Sequence, residues 1–246
     1  MELYKDILIN KDSSGPECII FNGNLYHRYM DRIYLPKLPS ELNKKEVAWL
    51  SEARLKLAED IIDYDYSFDV IGKLYSYLQI KSDQSLLDFG CGGGMFLKFL
   101  RTRSPSIWPR FVYGLDISEY ALDQAKSYYL SNSFNSPLLN LDVFNDESVI
   151  DAEDAFFDGA ISSFVMHFNI YESQVGELFR VLKPGAIFCY NDYVYHKYPG
   201  HSKRIRNMLR EAGFSISTET AGFRSRDTNK LKNNLIVIAT KPKVDL

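Results

Sequence analysis

The sequence predicts an α/β protein, with a mostly parallel sheet covered by helices on both faces and a hairpin-and-helix region in front of it. Three observations predict this. From about residue 84 onward, short apolar runs alternate with amphipathic stretches, which is the βαβ rhythm of a parallel sheet. The first of those runs ends in a glycine-rich turn that opens directly into a helical stretch, Leu86 to Leu100. Before residue 84 the pattern is different: two short apolar strands flank an Asn-Gly pair, and helical periodicity follows. With 246 residues and 46% apolar composition the chain can build one large domain, or a domain with an appendage. A charged fraction of 25% excludes global disorder.

Upstream, Glu17–Phe21 and Leu25–Tyr29 surround Asn22-Gly23-Asn24, a hairpin signal because Asn and Gly both tolerate positive φ. Pro36 and Pro39 break the chain, and Ser40 is positioned to cap a helix running to about Asp63, with Val47, Leu50, Ala53, Leu55, Leu57, Ile61 and Ile62 as its apolar positions. A second helix is expected over 67–78, carrying Phe68, Ile71, Leu74, Tyr75 and Leu78.

Downstream, strands are expected over 85–89, 111–116, 137–141, 157–163 and 186–191, with helices over 93–102, 118–130 and 171–182 between them. A helix over 201–212 follows. Strands over 214–219 and 235–240 then succeed each other without a helix, so they should form an antiparallel pair closing one side of the sheet. The domain division expected is 1–83 and 84–246.

The net charge of −3 excludes a uniformly basic nucleic-acid binder. It hides a division: from Lys197 onward there are 11 Lys/Arg against 4 Asp/Glu, and the excess of acids lies before that point. Cys18, Cys91 and Cys189 are isolated and odd in number, so neither a disulfide framework nor a CxxC metal site is expected. The start Met1-Glu2-Leu3-Tyr4-Lys5-Asp6 lacks the basic, then apolar, character of a signal peptide, and no apolar run approaches the roughly 20 residues of a membrane span. The expectation is a soluble cytoplasmic protein without a membrane partner.

The glycine turn carries the most chemistry. It reads Asp88-x-Gly90-x-Gly92-x-Gly94. A dinucleotide fingerprint starting at Gly90 would need glycine where Met95 stands, and no Lys-Ser/Thr follows to make a P-loop. An acid two residues before the first glycine would repel a pyrophosphate, whereas it suits a ligand with a cationic amine. Asp116 ends the second strand, 22 residues after Gly94, where an acid can accept both ribose hydroxyls, or simply cap the helix beginning near Ser118. Asp142 ends the third strand, where an adenine amino group could donate to it, or where it serves as a turn residue.

On these residues the segment 84–246 resembles the class I S-adenosylmethionine-dependent methyltransferase family. The matching motifs are Leu87-Asp-Phe-Gly-Cys-Gly-Gly-Gly94, Gly114-Leu-Asp-Ile-Ser118, Leu141-Asp-Val143, Phe157-Asp-Gly-Ala-Ile-Ser-Ser163 and Arg180-Val-Leu-Lys-Pro-Gly185; Ala186 departs from a further glycine common there. The resemblance implies a Rossmann-like sheet of seven strands with one antiparallel edge strand, and S-adenosyl-L-methionine as cofactor. It implies that Asp88, Gly90, Cys91, Gly92 and Gly94 hold the methionyl end, Asp116 with Ile117 the ribose side, and Asp142 with Val143 the adenine. Ser163 and Phe164 would lie near the sulfonium. It also implies that residues 1–83, which hold 11 of the 35 aromatics, form a lid over the acceptor, with Tyr26, His27 and Tyr29 as candidate substrate contacts.

Methyl transfer from a sulfonium is an in-line displacement, so alignment and exclusion of water are the main tasks. A base is needed only where the acceptor must lose a proton. His167 and His196 are the candidates for that role, and Tyr193 and Tyr195 for shaping an acceptor pocket; His167 reads equally as a histidine packed at a helix start, and the others as ordinary loop packing. A Mg-dependent site would want an acid where Ser162-Ser163 stands, so no metal is expected. The leading function is methylation of a small molecule at N, O or C, with a weak bias toward an anionic or aromatic acceptor. The alternatives are an RNA methyltransferase, which the basic C-terminal residues keep open, and a non-catalytic S-adenosylmethionine-binding partner protein. An Asp/Asn/Ser-Pro-Pro-Tyr/Phe motif of base methylation is missing at Ser162-Ser-Phe-Val165, and only Glu172 stands where protein arginine methylation would use two glutamates.

Overall fold

The structure is a computed structural model and describes residues 2–4, 7–10, 17–29, 32–35, 37–134, 136–144, 149–193, 199–225 and 229–243. At the N-terminus the predicted hairpin is part of a larger sheet. Five antiparallel strands follow one another in chain order: β1 (Glu2–Tyr4), β2 (Ile7–Asn10), β3 (Glu17–Phe21), β4 (Asn24–Tyr29) and β5 (Arg32–Tyr34). Asn22 and Gly23 make the β3–β4 turn with φ of 48° and 74°, as the residue types demand. One face of this sheet carries Ile7, Ile19, Phe21 and Tyr26, and packs on Leu50, Ala53, Leu57 and Ile61 of the following helices, α1 (Lys44–Lys56) and α2 (Ala58–Ile61).

The helix predicted from Ser40 begins instead at Asn43, because Asn43 completes a reciprocal cap. Its side chain accepts from Glu46 N at 2.9 Å, and the Glu46 carboxylate accepts from Asn43 N at 2.9 Å. Next, α3 (Tyr64–Leu78) is capped by Asp63, whose Oδ1 accepts from Tyr66 N at 3.0 Å. Its apolar face (Phe68, Ile71, Leu74, Leu78) packs with Leu86, Val112 and Ile161 of the large sheet, not with the N-terminal sheet.

The remaining chain alternates as predicted: β6 (Ser85–Phe89), α4 (Met95–Arg103), β7 (Phe111–Asp116), α5 (Glu119–Ser131), β8 (Leu138–Val143), β9 (Phe157–Ser162), α6 (Glu172–Val181), β10 (Leu182–Tyr193), α7 (Pro199–Glu211), β11 (Ser215–Arg224) and β12 (Leu231–Thr240). The seven strands lie in the order β11-β12-β10-β9-β6-β7-β8. β12 is antiparallel to both β10 and β11, and the other described pairings are parallel. β10 starts earlier than expected because Leu182 already pairs with Phe157, before a register shift leading to Ile187. Two apolar clusters cover the two faces of the sheet. The chain runs from β6 outward through β7 to β8 and then crosses back to β9. The strand order therefore reverses beside β6, and a crevice opens at the carboxyl ends of β6 and β9, the place where such sheets take ligands. Among the described residues, no helix is long and apolar enough to cross a membrane, and no group of three or more His, Cys, Asp or Glu residues could hold a metal ion.

Candidate active site

The loop after β6 is folded by its own backbone. Gly90 N and Cys91 N both donate to Leu115 O at 2.8 Å, tying the loop to the end of β7. Gly90, Gly92 and Gly94 have φ of 77°, 53° and 78°, a region that favours glycine. Gly92 faces open space, with no atom within 4 Å of where a Cβ would stand. That open side is the floor of a cavity of about 190 Å³, lined by Gly90 to Gly93, Leu115, Asp116, Ile117, Phe144, Ser163, Phe164 and Val165, and roofed by Leu50, Ser51, Arg54 and Leu55 of α1.

Asp116 joins the two loops at the cavity edge. Its Oδ2 accepts from Gly92 N at 2.8 Å and its Oδ1 from Ser118 N at 2.9 Å, and the Ile117 N–H is a third backbone donor to it. Burial raises its pKa from the ordinary carboxylate range, against the pull of those donors. Asp88 lies beside it, 3% exposed and without a hydrogen bond to its carboxyl among the described residues. Burial and then the Asp116 charge push Asp88 up to about 8.

The raised Asp88 makes a prediction. A carboxyl raised in the folded state contributes stability that is fully present below about pH 4 and is lost as pH rises toward its folded pKa. Asp88→Asn should therefore raise the melting temperature of the ligand-free protein at pH 8 and leave it unchanged at pH 4. Equal shifts at both pH values in thermal unfolding would show that Asp88 ionises freely.

A second cavity, of about 390 Å³, continues from the first. It is walled by Leu35, Leu38, Leu42, Leu50, Ile61, Ile62, Phe164, His167, Phe168 and Tyr193, with Lys37, Arg54, Asp63 and Lys232 as its charged residues. Leu42, Leu50, Arg54, Ile62, Phe164 and Phe168 line both cavities. Phe164 stands at this junction with φ of 61°, a strained setting for a bulky residue. A hydrogen-bond chain holds it there. Phe164 N donates to Asn191 Oδ1 (2.9 Å), Asn191 Nδ2 to Asn234 Oδ1 (3.0 Å), and Asn234 Nδ2 to Tyr66 Oη (2.9 Å). Asn191 and Asn234 are fully buried. Asn191→Ala would leave buried donors and acceptors unpaired, at about 1–3 kcal/mol each. We expect a melting temperature lower by at least several degrees together with reduced turnover; an unchanged melting temperature would show that the chain of bonds carries no strain.

The structure brings together Gly90, Cys91, Gly92, Asp116, Ile117, Ser163 and Phe164 around the first cavity, and His167 and Tyr193 in the second. It does not bring in several others, and Asp88, expected at the methionyl end, is buried and lines neither cavity. Gly94 starts α4, packed against Ala125. Asp142 Oδ2 accepts from Tyr113 Oη at 3.0 Å and its Oδ1 from Val143 N at 2.8 Å; neither Asp142 nor Val143 lines the cavity, where Phe144 stands instead. Tyr26 is a correction. It is 1% exposed in the core between the N-terminal sheet and α1, because its position on β4 faces inward, so it cannot touch a substrate. His27 is on the other face of β4, with Nδ1 3.7 Å from Cys18 Sγ, and lines neither cavity. The side chain of Tyr29, and Tyr195 and His196, lie outside the described residues.

His167 also differs from expectation. Its ring is 6% exposed, packed on Phe168 (4.2 Å) and Tyr193 (5.0 Å), and among the described residues its Nδ1 has no hydrogen-bond partner. Burial, then the charges of Arg54 and His201, lower it to about 3. It is neutral at physiological pH but a far weaker base than an ordinary histidine.

The α1 residues were missed from sequence. Val47, Leu50, Ser51 and Arg54 follow the i, i+3, i+4, i+7 spacing of one helix face, and the two polar residues interrupting an apolar stripe were the available signal.

The comparisons with known proteins agree with this geometry. Residues 87–190 match the methyltransferase domain family. This segment, less than half of the chain, is similar to methyltransferase domains, and the fold is that of a solved S-adenosylmethionine-dependent methyltransferase. Among its relatives, the 24-methylenesterol C-methyltransferase 2 of Oryza sativa subsp. japonica is 32% identical over 118 residues, 48% of this chain and 31% of that protein. The 24-methylenesterol C-methyltransferase 3 of Arabidopsis thaliana is 30% identical over 150 residues, 60% of this chain and 40% of that protein. The chain thus spans less than half the length of these relatives. A solved S-adenosylmethionine-dependent methyltransferase of Methanosarcina mazei superposes with a TM-score of 0.52 at 21% identity, covering 70% of this chain and 98% of its own. The cyclase SpnF superposes with a TM-score of 0.62 at 15% identity, covering 85% and 99%. At such identities the likeness is one of fold, and a cyclase among the neighbours means that the reaction must be argued from the site.

Proposed function

We propose that the protein transfers a methyl group from S-adenosylmethionine to a small, largely apolar acceptor held between α1 and the sheet. The observation that carries this reading is the shared wall: a glycine-floored cavity and an apolar cavity meet at Phe164. The residues present fit the cofactor. Gly92 leaves room for close backbone approach, Asp116 is a buried acid on the cavity wall, and Ile117 and Phe144 offer apolar surface.

Gly90 to Gly93, Asp116, Ile117, Phe144, Ser163 and Phe164 would hold the cofactor. When bound, it supplies an electrophilic methyl on a sulfonium and leaves as the neutral thioether S-adenosylhomocysteine, as the acceptor's electron pair forms the new bond. Leu42, Leu50 and Phe168 exclude water from both cavities, and strained Phe164 fixes the wall between them. Among the described residues, His167 is the histidine of the acceptor cavity, and burial pushes it down to about 3. The nucleophile that suits this site attacks without first losing a proton, as an amine nitrogen or the π electrons of a carbon–carbon double bond do; the names of the sterol C-methyltransferase relatives support the latter.

RNA is the weaker reading. Basic residues in the C-terminal segment are engaged by the chain itself: Arg204 donates to Ile170 O (3.0 Å), Arg206 to Ser202 Oγ (2.6 Å) and Arg224 to Asn229 O (3.1 Å). Incubating the protein with methyl-labelled cofactor and separate pools of small metabolites, lipids and RNA tests the proposal. Label should appear in a small-molecule or lipid product. Label confined to RNA, or none in any pool, would contradict it.

A further inference from the structure

Arg54 is the one charged residue that lines both cavities. It projects from α1, half-buried, and makes no hydrogen bond or ion pair among the described residues. The other charges of the acceptor cavity are matched. Lys37 pairs with Glu46 at 2.5 Å, Lys232 lies over the Tyr66 ring at 4.9 Å, and Asp63 accepts from Tyr66 N and from Ser225 Oγ. Arg54 is also close enough to His167, a residue of the acceptor cavity alone, for its charge to act on the imidazole. The guanidinium thus brings an unmatched positive charge to a cavity whose walls are otherwise mostly apolar. A planar oxyanion is the best partner of a guanidinium that lacks a counter-ion.

Resting on the methyl-transfer reading above, we propose that the acceptor is an amphipathic carboxylic acid, with its apolar body in the larger cavity and its carboxylate on Arg54. A single carboxylate balances the single unmatched charge, whereas a phosphate dianion would leave one negative charge buried. The rival source of such a group is the cofactor's own methionyl carboxylate, since Arg54 borders that cavity too. The mostly apolar lining of the larger cavity, which suits the body of an amphipathic acid, favours the acceptor.

The test uses the full chain with decanoate, decanol and S-adenosylhomocysteine as probes, each titrated by calorimetry into wild type, Arg54→Met and Arg54→Lys. Arg54→Met keeps the apolar stem and removes the charge, and Arg54→Lys keeps the charge without the planar fork. Wild type should bind decanoate about tenfold or more tightly than decanol, as expected for a charge-assisted contact. Arg54→Met should lose that preference and Arg54→Lys should retain part of it. Equal binding of decanoate and decanol by wild type would overturn the proposal, as would an undiminished preference in Arg54→Met. A loss of S-adenosylhomocysteine affinity in Arg54→Met with the decanoate preference intact would assign the guanidinium to the cofactor and overturn it as well. Failure of wild type to bind S-adenosylhomocysteine would instead sink the methyl-transfer reading, so the two failures are distinguishable.

Discussion

Asp116→Ala is expected to weaken S-adenosylhomocysteine binding by more than tenfold. The carboxylate does two things at once. It holds Gly92 N at 2.8 Å and Ser118 N at 2.9 Å, and so fixes the glycine loop against the start of α5. It also lines the cavity edge, where a hydroxyl donor of a ribose would be met. Charged hydrogen bonds of this kind contribute about 1.5–3 kcal/mol each. Asp116→Asn keeps the shape and one acceptor oxygen, so it should fall between wild type and alanine. Calorimetric titration separates the three. Affinity in Asp116→Ala equal to wild type would leave Asp116 as a cap for α5 and nothing more.

The second large effect comes from two glycines two residues apart. Alanine at Gly90 would place its Cβ 2.4 Å from Val165 Cγ2 and 2.8 Å from Val165 Cγ1, on a backbone with φ of 77°. Left-handed strain of about 1–2 kcal/mol and overpacking of about 1–3 kcal/mol add here, so Gly90→Ala should lose several kcal/mol and melt at least several degrees lower. Alanine at Gly92 meets nothing within 4 Å, so only the strain applies to the fold. Its methyl instead projects into the cavity floor. Gly92→Ala should therefore keep most of its stability and lose cofactor binding, whereas Gly90→Ala should lose stability first. Thermal unfolding with and without S-adenosylhomocysteine reads both. Wild-type binding by Gly92→Ala would remove the cavity from consideration as the cofactor site.

Much of this was legible in the sequence because the features are local. The apolar runs of β6, β7 and β9 and the glycine turn at Gly90 follow from periodicity and backbone freedom, and they fix where the strand order reverses. Asn22-Gly23 gave its turn, but the three further strands around that hairpin are short, and pairing between short strands depends on partners distant in the chain. Ser40 is a good cap by type, and lost to Asn43 because Glu46 stands three residues after Asn43 and returns the bond. The site divided along the same line. Gly90, Gly92, Asp116 and Ser163, which line the first cavity, could be found from spacing, whereas Arg54, Phe144 and Phe168 reach the cavities only through tertiary packing. Tyr26 misled because an aromatic on a hairpin can face either way, and the alternation places it in the core. His167 misled because its base strength is set by burial, which no local pattern reports.

The most direct measurement is equilibrium dialysis of methyl-labelled S-adenosylmethionine against the full chain, with unlabelled S-adenosylhomocysteine as competitor. One cofactor retained per chain, displaced by the competitor and lost in Gly92→Ala, is the predicted result. No saturable retention by wild type, or retention undiminished in Gly92→Ala, would contradict it.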